Sequence, residues 1–97
     1  MFLCEAGPIV AVSGSADLTF IEVDADDHAK FRCEARDLED VLHGVPLQLS
    51  GGQGFLKISL DGDEVVMQFA LANGPTRYCR CSPAKVSFAI DFLRRHR

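Results

Sequence analysis

Two short runs of alternating apolar residues constrain this 97-residue chain more than any other feature. Leu56, Ile58 and Leu60 lead up to Asp61-Gly62, and Val65, Met67, Phe69 and Leu71 follow it. A period of two puts each set on one face of a strand. An Asp-Gly pair between two such runs is a strong hairpin signal, because glycine accepts the positive φ that a tight turn requires. The chain therefore contains an antiparallel sheet with one apolar face, and something must cover that face.

Further strands follow from the same reasoning. Pro8 to Val12 reads as a short strand ending in a Ser13-Gly14-Ser15 turn. Leu18 to Asp24 has apolar residues on both faces, Leu18 and Phe20 against Ile21 and Val23, which marks a central strand. Asp24-Ala25-Asp26-Asp27 reads as an acidic turn. From Ala29 to Ala35 the alternation is clean, with Phe31, Cys33 and Ala35 inward and Lys30, Arg32 and Glu34 outward. Ser50-Gly51-Gly52-Gln53-Gly54 reads as a flexible link, and Asn73-Gly74-Pro75 as a turn into a last strand, Arg77 to Cys81.

Helical spacing supplies the cover. Leu38, Val41, Leu42 and Val45 recur at i, i+3, i+4 and i+7, with Asp37 as the expected N-cap and Gly44 and Pro46 as the stop. Ser82 caps a second helix that starts at Pro83 and runs to about Arg95. In it, Val86, Ala89, Ile90 and Leu93 form one apolar stripe and Phe88 and Phe92 a second. Together they cover roughly half the circumference, wider than packing on one sheet face needs. Phe88 and Phe92 must therefore either enter a deep groove of their own domain or meet another protein. The expected class is α+β: a mainly antiparallel sheet of about five to six strands, one short helix after the third strand and a C-terminal helix packed on the sheet. The whole forms a single domain over residues 1–97 without an internal repeat.

No run of residues announces chemistry. In Arg77-Tyr78-Cys79-Arg80-Cys81 the two thiols share one strand face, and Cys4 and Cys33 are single and distant in sequence. A structural zinc site draws its ligands in closely spaced pairs, so the cysteines are expected to be small core hydrophobes, with neither metal nor cofactor. Gly51-Gly52-Gln53-Gly54 lacks the Lys and Ser/Thr of a phosphate loop, and Asp26-Asp27-His28 lacks further spaced ligands. His43 and His96 stand in no nucleophile, base and acid set. The chain is expected not to be an enzyme.

Charge points to interaction instead. Residues 1–64 hold thirteen acids against four bases, and residues 65–97 six bases against one acid. The acidic set Asp24, Asp26, Asp27, Asp37, Glu39 and Asp40 would suit a protein partner with a basic surface, and Phe88 with Phe92 would give an apolar contact, including a homodimer. The alternative is a nucleic-acid contact through Arg77, Arg80, Lys85, Arg94, Arg95 and Arg97. The N-terminal MFLCEAGPIVAV has no basic n-region and is too short to span a bilayer, so no membrane partner and a cytoplasmic address are expected.

In the order of its elements, strands, short helix, hairpin, strand and helix, the chain resembles sliding-clamp repeats and small immunity-type proteins of bacterial conflict systems. That order is shared by unrelated families and assigns no role by itself. The expected role is a binding one: an acidic inhibitor or immunity-like protein acting by occlusion or assembly, or a clamp-like or regulatory module contacting nucleic acid.

Overall fold

The computed structural model describes residues 2–4, 9–15, 18–24, 29–51, 54–71 and 76–95. They form four strands and a helix, twice: β1 (Phe2–Cys4), β2 (Ile9–Ser15), β3 (Leu18–Asp24), β4 (Ala29–Glu34) and α1 (Ala35–Leu42), then β5 (Leu47–Gly51), β6 (Gly54–Asp61), β7 (Glu64–Leu71), β8 (Thr76–Cys81) and α2 (Pro83–Arg95). Each set of strands is an antiparallel four-stranded sheet in sequential order. The α+β class stands, but the single sheet of five to six strands is replaced by two sheets of four, and the short helix follows the fourth strand. The element order on which the resemblance to clamp repeats and immunity-type proteins rested is therefore not the observed one.

Two strands account for the difference. β1 is only three residues long, and β5 occupies Leu47–Gly51, where a helix stop and a flexible link were expected. Both are edge strands. Gly51 belongs in β5 because the strand passes close to β4: a Cβ there would lie 3.2 Å from the Phe31 ring. The expected Ser13–Ser15 turn is instead ladder, with Ser13 opposite Phe20 and Ser15 opposite Leu18. β3 is interior, as its two apolar faces require, and β4 buries Phe31 and Cys33 while exposing Lys30 and Arg32. The β6–β7 hairpin closes through a two-residue loop, Asp61 opposite Glu64, with Gly62 at φ +64°. The expected turns at Asp24–Asp27 and Asn73–Pro75 include residues outside the described ones.

Both helices follow from local chemistry. α1 starts earlier than Asp37: Glu34 is the N-cap, and Asp37 sits at the third helical position, where its carboxylate accepts the Glu34 N–H at 3.1 Å. At its C-terminus the Val45 N–H donates to the Asp40 carbonyl (2.9 Å) and the Gly44 N–H to that of Val41 (3.0 Å). This is a Schellman closure, and it needs a left-handed residue at Gly44, whose φ is +92°. Val45 consequently leaves the helix and is exposed, not part of the apolar stripe. α2 starts as expected, the Lys85 N–H donating to Ser82 Oγ at 3.3 Å. Among the described residues no helix is long and apolar enough to cross a membrane.

Packing interlocks the halves. α1 lies against β5 and β6 of the second sheet as well as its own β4, α2 lies against β1 and β2 of the first, and the helices touch each other. The sheets adjoin at both edges, β4 beside β5 and β1 beside β8. One core joins them, with Leu3, Ile21, Phe31, Leu38, Ile58 and Leu93 all essentially buried. Phe31 of β4 meets Phe69 of β7 edge-to-face with centroids 6.0 Å apart, linking the two sheets directly.

Phe31→Ala should therefore cost about 3–5 kcal/mol of unfolding free energy, lost in one transition reporting both halves together in urea denaturation followed by circular dichroism. Gly44→Ala, forcing a side chain into the left-handed region, should cost about 1–2 kcal/mol in the same assay without altering the folded spectrum.

Candidate functional site

The two halves share one order of elements, and a shift of 48 positions aligns them where strand gives way to helix, setting Arg32-Cys33 near the end of β4 on Arg80-Cys81 at the end of β8. Under that shift the N-caps Glu34 and Ser82 coincide, and so do the core residues Leu38 with Val86 and Val41 with Ala89. An internal repeat, not expected from the sequence, is thus present in the fold. Its trace in the sequence is this short strand-to-helix segment, which whole-chain self-similarity does not bring out.

The repeat separates what a helix of this fold requires from what α2 has in addition. Val86, Ala89, Ile90 and Leu93 are buried, while Phe88 is 63% exposed and Phe92 38%. In the first half the positions of Phe88 and Phe92 are taken by Asp40, in α1, and Gly44, just past its end. The fold accepts a carboxylate at the position of Phe88, so it does not call for a phenyl ring there, while α1 ends before the position of Phe92. Around the aromatic pair stand Ala84, Lys85, Asp91 and Arg95. The face is an apolar centre with a rim of two cations and one anion.

The expected acidic set is spread out. Asp26 and Asp27 lie outside the described residues; Asp24 ends β3, and its side chain is outside them as well. Strand β4 then carries the chain away from that turn, five steps or roughly 17 Å at strand rise, before α1 begins. Of the α1 acids, Asp37 closes the helix start and Glu39 pairs with Arg94, which holds the Glu39 carboxyl below its ordinary value through that hydrogen bond. Asp40 is exposed.

The basic set is divided as well. Arg80 reaches Glu64 at 2.9 Å and Asp61 at 3.3 Å, bracing the two ends of the β6–β7 turn. Arg94 is held by Glu39, and the Arg95 Nε donates to the Asp91 carbonyl at 3.4 Å. Arg77 is half-buried on β8, Lys85 is half-buried at the start of α2, and Arg97 lies outside the described residues. The charge asymmetry of the sequence is thus partly neutralised by folding, since Arg80 and Arg94 of the basic last third sit on acids of the first two thirds. The cleft between the start of α1 and the end of α2 is lined by Glu34, Ala35, Arg36 and Arg94, with Arg36 2.6 Å from Glu34.

All four cysteines are free thiols, three buried and Cys81 half-buried. Cys4, distant in sequence from the β8 pair, comes beside it in the fold, where β1 adjoins β8. Its Sγ is 3.8 Å from the Sδ of Met67, which lies directly opposite Cys79 in the β7–β8 ladder. Sequence separation concealed this, because no local pattern ties β1 to β8. The neighbouring Cys79 thiol together with burial pushes Cys4 up to about 12, and Cys4 in turn holds Cys79 below its ordinary value. Among the described residues no group of three or more His, Cys, Asp and Glu side chains is arranged to hold a metal ion. No protein-family model, no curated protein and no solved structure matches the chain.

Cys33 stands apart from the other three, and burial, aided by the Asp37 carboxylate, lifts its thiol from 9.0 to about 12. The folded value exceeds the unfolded one, so its contribution to stability is complete below pH 9 and disappears as pH rises through 12. At pH 8 the thiolate fraction of Cys33 should be roughly a thousandfold below that of an unfolded cysteine. Iodoacetamide labelling followed by peptide mapping should find Cys33 correspondingly slow in the native chain and fast in urea.

Proposed function

We propose that this chain is a non-enzymatic protein-binding protein that acts by occlusion or assembly, in the manner of an inhibitor or immunity protein, through the outward face of α2. The observation that carries the reading is the exposure of Phe88 on α2, where the equivalent position of α1 holds Asp40. An exposed aromatic pair ringed by charge has the composition of an interface hot spot.

The rim identifies the kind of partner. Two copies pairing antiparallel about the Phe88/Phe92 centre would set Lys85 of one copy opposite Arg95 of the other, and parallel pairing would set each charge against itself. Both arrangements bring like charges together at the edge of the contact. A different protein, with an apolar recess bordered by carboxylates, answers the face better than a second copy does. That partner differs from the basic surface expected from the acidic set, whose α1 members Asp37 and Glu39 are occupied within the fold.

Phe88→Ser/Phe92→Ser should leave unfolding free energy within about 1 kcal/mol of wild type. It should also abolish quantitative co-purification of a specific protein from extract of the source cell, while Asp40→Ala retains it. A double variant that loses several kcal/mol would show the rings to be core, since truncating a buried Phe costs about 3–5 kcal/mol. Nucleic-acid binding abolished by Arg94→Ala/Arg95→Ala would favour the clamp-like or regulatory alternative instead.

A further inference from the structure

Three of the four thiols meet where the first strand passes the last. Cys79 lies directly opposite Met67 in the β7–β8 ladder and Cys81 opposite Val65, so both sulfurs project from the same side of β8 into the core. Cys4, at the end of β1, reaches toward them from the other sheet, its Sγ 3.8 Å from the Sδ of Met67, the residue paired with Cys79. We propose that this cluster is a reversible redox site, in which Cys4 closes a disulfide onto Cys79 or Cys81 and ties β1 to β8.

Geometry makes Cys4 the required partner. Cys79 and Cys81 are two apart in an extended strand, about 6.8 Å between Cα atoms at strand rise, with parallel Cβ vectors. That separation is at the upper limit for a disulfide and the directions are wrong, so the β8 pair does not close on itself. Cys33 is on β4, at the opposite edge of the first sheet from β1, roughly 14 Å away at the spacing of neighbouring strands. Only Cys4 approaches β8 across the seam, where β1 and β8 adjoin without sharing a ladder.

The chemistry balances with a hydroperoxide as oxidant. The Cys79 sulfur, as thiolate, attacks one peroxide oxygen; the O–O bond breaks, and the sulfur becomes a sulfenic acid while the other oxygen leaves as water or alcohol after taking a proton. Cys4 sulfur then attacks the sulfenic sulfur, the S–O bond breaks, and water leaves with the Cys4 proton. Two thiols lose two electrons and the peroxide gains them. Cys81 stands on the same face of β8 and is the half-exposed thiol, so it offers the same closure from the solvent side. A dithiol reductant reverses the reaction by exchange. This inference does not depend on the α2 face, and either can fail without the other.

The test uses the purified, fully reduced chain and hydrogen peroxide. Intact mass spectrometry should show loss of the mass of two hydrogen atoms, restored by dithiothreitol. Trypsin cuts after Arg80, between the two β8 cysteines, so a non-reducing peptide map separates them. It should find the Cys4 peptide joined to the Cys79 or the Cys81 peptide, and the oxidised chain should melt at a higher temperature. Cys4→Ser should abolish the loss of hydrogen and leave a dimedone-trappable sulfenic acid on β8, while Cys33→Ser should behave as wild type. Wild-type chain that only gains oxygen, or that crosslinks through Cys33 or between molecules, would overturn the proposal. If Cys4→Ser does not fold, the linkage map of the wild-type chain is decisive by itself: a Cys4 crosslink to β8 supports the site, and any other linkage or none overturns it.

Discussion

Neither four-stranded sheet in this protein buries its inner face by itself, and the helices answer that need across the molecule. α1 leaves the first sheet and packs on β5 and β6; α2 leaves the second and packs on β1 and β2. A four-stranded meander with one apolar face is a fragment in water, because the exposed face costs more than the ladder returns. The exchange of helices makes each half a condition of the other. Phe31 against Phe69 is the most direct expression of it, a ring from β4 set on a ring from β7 with no helix between them. Many of the stabilising contacts therefore join residues far apart in sequence, which sets a high loop-closure cost before the core forms.

Much of this was legible in the sequence wherever the signal was local. Alternation identified β3, β4 and the β6–β7 hairpin, and Ser82-Pro83 fixed the start of α2. What was not legible depends on partners. β1 is too short for a period to show, and β5 ends in a glycine whose purpose is tertiary: Gly51 clears the Phe31 ring, a residue twenty positions earlier. The N-cap of α1 was misplaced because Asp37 is the better capping residue by type, yet it serves better from the third helical position, returning a hydrogen bond to Glu34. The thiol cluster was invisible for the plainest reason, that Cys4 and Cys79 stand at opposite ends of the chain.

The candidate site was half legible. Helical spacing exposed the second stripe of α2, but spacing alone could not decide between a groove and a partner. The repeat bears on that ambiguity at Phe88, by providing a second helix of the same fold in which a carboxylate, Asp40, suffices at the equivalent position. Charge was the less informative guide. Acids and bases that looked like two opposed surfaces in the sequence are partly spent on each other, at Arg94 with Glu39 and at Arg80 with Asp61 and Glu64.

Where equivalent positions of the two halves differ, the differences reveal how the molecule is specialised. Phe31 in the first half corresponds to Cys79 in the second, so one seam of the core is filled by an aromatic pair and the other by sulfur. The aromatic seam is inert and tightly packed, with Gly51 fitted beneath it. The sulfur seam is softer: smaller side chains and a polarizable contact between Cys4 and Met67. A fold that needs both seams closed has thus placed its rigid contact at β4 and β5, where the chain runs continuously from one sheet to the other through α1. At β1 and β8, where no covalent connection holds the sheets together, it has placed the side chains able to form one.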